Sequence, residues 1–175
     1  MSHSVIKKLS LVSVVAMIIA IPVNSQAAND IFIKFEGVEG ESDDARYKGW
    51  VDVLAWSWGL SSSGKTDTCI QDINIVKYVD SATNDLIQAV PTNKVFPQVQ
   101  LVVRSAGGRD PLDYLVYDMS NVQISAVSTG GSFGEDKFTE SVSFNFEELA
   151  GVYRSQLDTG EAGPDEEFFV TGKCK

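Results

Sequence analysis

Short runs of alternating apolar and polar residues recur along this 175-residue chain and constrain its fold more than any other feature. The clearest run places Val142, Phe144 and Phe146 at every second position, with small polar residues between them. Because side chains of a β-strand point alternately to the two faces of a sheet, this pattern predicts a half-buried strand. Further runs, separated by turn signals, begin near Ile31, Trp50, Ile73, Val99 and Leu112. The sequence therefore predicts an antiparallel all-β domain.

One segment departs from this period. Leu86, Ile87 and Val90 recur at helical spacing after a run of cap-type residues, and Pro91 follows them. The spacing predicts a short helix near Asn84 to Val90 that ends before the proline. Six or seven strands and one helix predict a closed or nearly closed β-barrel, since closure removes the exposed edges of a sheet.

The N-terminal 27 residues are typical of a secretory signal peptide. Lys7 and Lys8 precede an uncharged, mostly apolar run from Leu9 to Ile21, and Ser25 and Ala27 are small residues suited to a cleavage site. The apolar run is shorter than the ~20 residues of a membrane-spanning helix. We therefore expect a secreted or periplasmic protein that has no membrane attachment after cleavage. An uncleaved anchor and a wrongly assigned start are the alternatives.

The chain is acidic, with a formal net charge of −10. Such a surface repels phosphate backbones, which argues against a nucleic-acid partner. The single histidine, His3, lies in the predicted signal peptide, so the mature chain has no Ser–His or Cys–His pair for nucleophilic catalysis. These observations predict a protein that is not an enzyme.

Two cysteines, Cys69 and Cys174, are present. An even number in an exported chain predicts a disulfide, either within one subunit or between subunits. Two unrelated thiols are the alternative.

The composition changes after Leu149. Positions 150–175 contain four glycines, Pro164 and five acidic residues, which predicts a loose, solvated C-terminal tail. The expected organisation is a signal peptide at 1–27, a barrel domain at 28–149 and an acidic, glycine-containing tail at 150–175.

Three segments carry a resemblance to a known family. They are VDVLAWSWG at Val51–Gly59, QDI at Gln71–Ile73 leading to KYVD at Lys77–Asp80, and VSTGGSFGEDKFTESVSFNF at Val127–Phe146. In this order and spacing, the chain from about Ile31 to Leu149 resembles the haemolysin-coregulated proteins (Hcp), the tube subunits of type VI secretion. The combination of LAWSWG with STGG and GED is specific to that family.

The resemblance implies a mainly β fold, an antiparallel β-barrel of two packed sheets flanked by one short α-helix. It also implies a homohexameric ring that stacks into a tube and acts as conduit or carrier for effectors, without a cofactor. The implied partners are other copies of the chain, effector cargo and proteins of the secretion apparatus. The signal peptide favours an alternative, in which an exported barrel of this family serves as a periplasmic or extracellular binding protein outside a type VI apparatus.

The candidate functional residues have packing and assembly roles rather than catalytic ones. Trp56 and Trp58 lie two residues apart and share a face of a strand, which predicts core or interface packing, with a ligand-stacking platform as the alternative. Gly59 and Asp72 belong to the family motifs and are assigned the same role.

The glycine-rich segment after Val127 is predicted to be a loop near a subunit contact. Gly130, Gly131 and Gly134 permit positive φ angles there, and the segment lacks the Gly-Lys-[Ser/Thr] ending of a phosphate-binding loop. Glu135 and Asp136 are predicted to pair with a basic residue of a neighbouring subunit, with simple solvation as the alternative.

No metal site is expected. The acid-rich stretch from Glu39 to Asp44 lacks the alternating spacing of a calcium loop and is predicted to be a solvated turn. Two distant cysteines without a histidine do not make a zinc site.

Overall fold

The computed structural model describes residues 29–62, 68–105, 111–157, 159 and 161–172. This part of the chain forms ten strands and one helix. In chain order they are β1 Asn29–Phe35, β2 Val51–Ser57, β3 Leu60–Ser62, β4 Thr68–Ile70, β5 Ile73–Tyr78, α1 Thr83–Thr92, β6 Val95–Ser105, β7 Leu112–Gly130, β8 Thr139–Asn145, β9 Glu148–Gln156 and β10 Ala162–Thr171. The predicted signal peptide, residues 1–27, lies outside these residues, and none of the helices described is long and apolar enough to cross a membrane.

Eight strands form one antiparallel sheet in the order β10-β9-β7-β6-β1-β2-β5-β8. Because β8 also pairs with β7, the six strands from β7 to β8 close into a barrel, and β9 and β10 extend the sheet beyond it. Strands β3 and β4 form a separate two-stranded ribbon. The predicted fold, a mainly β barrel with one short helix, is confirmed.

Strand β7 belongs to both the barrel and the extension. On one edge, Leu115–Ser120 pairs with β9 and Gln123–Gly130 pairs with β8. Between these two segments Asn121 has a φ of 51°, and its side-chain amide donates to the carboxylate of Glu147 over 2.8 Å. Asparagine tolerates this left-handed conformation better than most residues. Asn121 therefore marks the point where the long strand passes from one neighbour to the other.

The barrel interior is filled by the residues that the alternating pattern selects. Ile33, Phe35, Val142 and Phe144 are all fully buried. The ring of Phe35 packs against Phe144 at a centroid distance of 5.5 Å, which joins strands from opposite walls. Burial of one such side chain contributes about 1.5–3 kcal/mol. The core thus forms where the sequence predicts it.

Helix α1 covers the predicted segment but is longer at both ends. Leu86 and Ala89 are buried against the barrel, and the helix continues through Pro91. The prediction that the helix stops before the proline was therefore wrong. Instead it ends at Asn93, which has a φ of 49° and directs its backbone N–H to the carbonyl groups of the last turn. A left-handed C-cap thus ends the helix here.

The prediction of a loose tail after Leu149 was wrong for the described residues. Strands β9 and β10 pair from Ala162–Gln156 to Thr171–Glu148. The Arg154 side chain binds both carboxylate oxygens of Asp165 across this hairpin, at 2.6 and 2.9 Å. Leu149 and Val170 pack against the barrel core, so a few apolar residues order a segment that is acidic on average.

Candidate assembly surfaces

The two tryptophans of the LAWSWG motif lie in an aromatic cluster. The Trp56 and Trp58 rings both contact Tyr117 edge-on, with centroids 5.4 and 6.0 Å away. Phe168 of β10 meets the same tyrosine at 5.8 Å. Both tryptophans are half-buried and pack against the core. The cluster therefore connects β2, β7 and the C-terminal hairpin.

A glycine opposite Phe168 makes this contact possible. The two residues face each other across β9 and β10, and a Cβ atom at Gly151 would lie 2.1 Å from the Phe168 ring. The ring thus lies directly over the Gly151 backbone, an arrangement in which an aromatic side chain covers a glycine on a neighbouring strand. Gly151 and Phe168 were missed by the sequence analysis, which treated this region as tail.

Gly59 and Asp72 lie close together between β2 and β5. The Gly59 carbonyl accepts the backbone N–H of Gln71 at 3.0 Å, and a Cβ on Gly59 would come within 2.8 Å of the Gln71 side-chain oxygen. The Asp72 carboxylate accepts the Ser125 hydroxyl from β7. Both residues have structural contacts within the chain, and their predicted part in assembly stays a prediction.

The predicted contact loop connects β7 to β8 and is exposed along its length. Gly130 ends β7, Gly131 lies beneath the Phe138 ring, and Gly134 has a φ of 94°. The Glu135 carboxylate accepts the backbone N–H of Ser132 at 3.2 Å, which holds the turn in shape.

At the tip of this loop, Phe133 is fully exposed to solvent. Asp136 is also exposed. The loop therefore presents an ordered, solvent-facing tip. Whether Glu135 and Asp136 pair with a neighbouring subunit is a prediction that a single chain does not test.

A buried ionic network was missed by the sequence analysis, although the KYVD motif contains half of it. The Lys77 ammonium is fully buried and donates to Glu140 and Asp80, each over 2.7 Å. The Thr83 hydroxyl donates to the same Glu140 oxygen at 2.9 Å. The network joins β5, β8 and the start of α1. The signal was present in the sequence, since Lys77 continues the inward-facing series of Ile73 and Ile75.

A second charged cluster fixes the long connection between β1 and β2. Arg104 binds the carboxylate of Asp44 through both terminal nitrogens and lies over the rings of Phe32 and Tyr47. This arginine holds the pKa of Asp44 well below its usual range. Burial raises the pKa of Tyr47 to about 12, with the Asp113 carboxylate acting in the same direction. The prediction of a solvated turn is therefore wrong for Asp44, whose carboxylate is paired with Arg104 and partly buried.

Cys69 lies on β4 and is disulfide-bonded. The other cysteine of the sequence, Cys174, lies outside the described residues. The pairing of Cys69 with Cys174, within one subunit or between subunits, stays a prediction.

Comparisons with known proteins place the barrel in one family. Residues 32–153 match the family described as "Type VI secretion system effector, Hcp". Protein hcp1 of Pseudomonas aeruginosa is 40% identical over 148 residues, which cover 78% of this chain and 91% of that protein.

Solved structures agree with the sequence match. Hcp1 from Salmonella typhimurium superposes with a TM-score of 0.72 at 30% identity, covering 82% of this chain and 94% of that one. A type VI secretion system effector from Yersinia pestis gives 0.67 at 30% identity, covering 81% and 100% of the two chains. A further type six secretion system protein gives 0.76 at 26% identity, with coverage of 82% and 96%. The chain belongs to the Hcp family of type VI secretion system effectors.

Proposed function

We propose that this protein is a non-catalytic structural subunit that forms hexameric rings. In this proposal the rings stack into a tube, and the assembly is secreted as conduit or carrier for effectors of type VI secretion. The proposed partners are other copies of the chain, effector cargo and proteins of the secretion apparatus.

Membership of the Hcp family carries this proposal. The match over residues 32–153 spans β2 to β8, helix α1 and most of β1 and β9. The packed interior of the barrel leaves the outer surfaces for function. Assembly, rather than chemistry in a cleft, is the use that this architecture favours. Contacts between identical subunits related by rotation are heterologous, and they close into a ring when the rotation allows it.

The direct test is the native mass of the mature protein, residues 28–175, measured by light scattering after gel filtration. We expect a mass near six subunits. A monomer, with and without reductant, would contradict the ring. A ring that dissociates in reductant would assign Cys69 and Cys174 to bonds between subunits.

The signal-like N-terminus, with Lys7, Lys8 and the apolar run before Ala27, supports a second candidate. In this alternative the exported barrel is a periplasmic or extracellular binding protein outside a type VI apparatus. Genomic context distinguishes the two, because genes for a sheath and baseplate beside this one favour the secretion machine. N-terminal sequencing of the protein recovered from culture medium gives a second test, since export by the general pathway requires cleavage near Ala27.

A further inference from the structure

Two rows of mostly polar side chains cross the outer face of the sheet formed by β1, β6, β7, β9 and β10. In the first row, the strand registers place Lys34, Gln100, Asp118, Ala150 and Phe169 beside one another in that order. On β1, β6, β7 and β9, both chain neighbours of each row member are buried. Because side chains alternate between the two faces of a sheet, these row members point outward.

The second row runs beside the first, two residues further along each strand. It begins at Glu36, whose backbone N–H donates to the Gln98 carbonyl over 3.1 Å. Gln98 pairs with Ser120, and Ser120 pairs with Glu148. Five neighbouring strands span four intervals, about 19 Å at the usual strand spacing. The two rows together are therefore long enough for an extended ligand.

This face is concave. A cavity of about 410 Å³ extends from Glu36 to Phe169, and a second cavity of about 360 Å³ lies between Trp50 and Gln98. The two cavities share Glu36 and Gln98, so they adjoin. We call the two rows, together with Trp50, the outer groove. Concave sites that combine aromatic side chains with a few polar groups are typical of binding sites for small molecules.

An aromatic residue lies at each end of the outer groove. Trp50 is half-buried, and the Tyr47 ring packs against it edge-on at a centroid distance of 4.8 Å. Phe169, at the other end, is 62% exposed. Large aromatic rings provide flat apolar contact area. A ligand that fits the whole groove therefore has apolar faces as well as polar groups, which is a property of sugar rings.

The charges of the groove disfavour an anionic ligand. Glu36, Asp118 and Glu148 line it, and none of the three forms an ion pair with a described residue. The lysine of the groove, Lys34, is paired with Glu39 over 3.2 Å. A surface of this sign repels polymers that carry phosphate or carboxylate groups. The ligand is therefore neutral.

The hydrogen-bonding groups of the groove suit hydroxyl and amide groups of a ligand. The side chains of Gln98 and Gln100 provide both donors and acceptors. The Gln100 amide donates to one carboxylate oxygen of Asp118 over 2.7 Å, which orients both side chains. A peptide that adds as a strand needs a free strand edge, whereas β6, β7 and β9 are paired on both edges. Recognition in this groove therefore depends on side chains.

We propose that the outer groove binds a neutral β-1,4-linked oligosaccharide. The repeat of such a chain is close to the spacing between strands, so successive sugars meet successive strands. Trp50 and Phe169 stack against sugar rings at the two ends, and Gln98 and Gln100 hydrogen-bond hydroxyl or acetamido groups between them. This inference goes beyond the proposed ring and does not depend on it, because one chain supplies the whole groove.

Calorimetric titration of the mature protein with chitohexaose, a neutral β-1,4-linked oligomer of N-acetylglucosamine, tests the proposal. We expect saturable binding with one site per chain. Oligogalacturonate, an anionic oligosaccharide, and spermine, a linear cation, are titrated in parallel and are expected to bind at least tenfold more weakly. Absence of chitohexaose binding overturns the proposal. So does tighter binding of spermine, which would identify a cation site instead.

Substitutions in the groove locate the binding site. Gln98→Ala and Phe169→Ala are each expected to raise the dissociation constant for chitohexaose about fivefold or more, because each removes one direct contact. Gln88→Ala on α1 and Phe133→Ala in the β7–β8 loop are the matched controls, since both positions are exposed and line neither cavity. Equal affinities of the groove variants and their controls would contradict a site in the outer groove.

Light scattering of the same samples separates this inference from the proposed function. A monomer that binds chitohexaose contradicts the ring and leaves the groove in place. A ring without chitohexaose binding contradicts the groove alone. Circular dichroism and urea midpoints of the four variants, expected to match those of the parent protein, show that weaker binding does not result from lost folding.

Discussion

The barrel and the β9–β10 hairpin belong to one sheet but differ in how completely their strands are paired. Strand β8 has partners on both edges, β5 and β7, and its inward side chains from Glu140 to Phe144 are buried. Strand β10 has a partner on one edge, and nearly all of its residues are exposed. The comparison predicts that the barrel supplies most of the stability, whereas the hairpin depends on the barrel for its order.

The largest expected loss of stability lies in the barrel, at the buried network. Glu140→Ala leaves the Lys77 ammonium buried without its closest partner from β8. Removing one member of a buried ion pair typically costs about 3–5 kcal/mol, because the remaining charge stays desolvated. We expect a loss of this size in the free energy of unfolding, measured by urea titration. Glu36→Ala, at an exposed position, is the control, and equal losses from the two substitutions would show that the network does not stabilise the barrel.

The hairpin responds differently to a substitution of its own. In Gly151→Val the new side chain occupies the space of the Phe168 ring and separates it from Tyr117. Such overpacking typically costs about 1–3 kcal/mol. Hydrogen exchange is expected to show faster exchange for the amides of β10 while those of β5 and β8 keep their protection. Gly130→Val is the matched control, because a Cβ there meets nothing within 4 Å. Loss of protection throughout the barrel would contradict the separation of the two regions.

The contrast between the regions also separates what the sequence predicts from what it does not. Strands such as β8 are predictable because alternation is a local pattern that directly selects the buried face. The partnership of Lys77 with Glu140 spans 63 positions, and no local pattern contains it. The only signal in the sequence was that both residues occupy inward-facing positions of their strands, two residues from Ile75 and Val142.

The β9–β10 hairpin was missed because the prediction relied on average composition. Glycines and acidic residues are frequent after Leu149, and such a composition predicts solvation. Order depends instead on a few contacts, Phe168 with Tyr117 and Arg154 with Asp165. Among the candidate residues, Trp56 and Trp58 were predictable as packing residues because the motif is short and regular. A role for Gly134 or Glu135 in assembly depends on a second subunit, which the sequence of one chain does not describe.

A smaller effect is expected at acidic pH from the Arg104 cluster. Arg104 lowers the pKa of Asp44 in the folded protein, so the unfolded chain takes up the proton more readily. The stabilisation is therefore complete above the unfolded pKa, about 3.9, and is lost as the pH falls through the lower folded pKa. Solvent screening limits it to about 1 kcal/mol or less. Asp44→Asn should flatten the fall in stability below pH 4 in urea titrations, and an unchanged slope would show that Asp44 does not contribute to it.

The smallest expected effect on stability is at the β7–β8 loop, where a substitution is expected to change ring formation rather than folding. Glu135→Lys removes one hydrogen bond to Ser132 in an exposed turn, so the free energy of unfolding should change by no more than about 0.5 kcal/mol. Ring formation is expected to weaken, because the reversed charge repels the basic partner proposed on the neighbouring subunit. Asp43→Lys makes the same charge change at another exposed site, which separates a local contact from the fall in net negative charge. If both variants elute from gel filtration as the parent ring does, Glu135 has no part in the subunit contact. Its carboxylate is then simply solvated, which is the alternative interpretation of this loop.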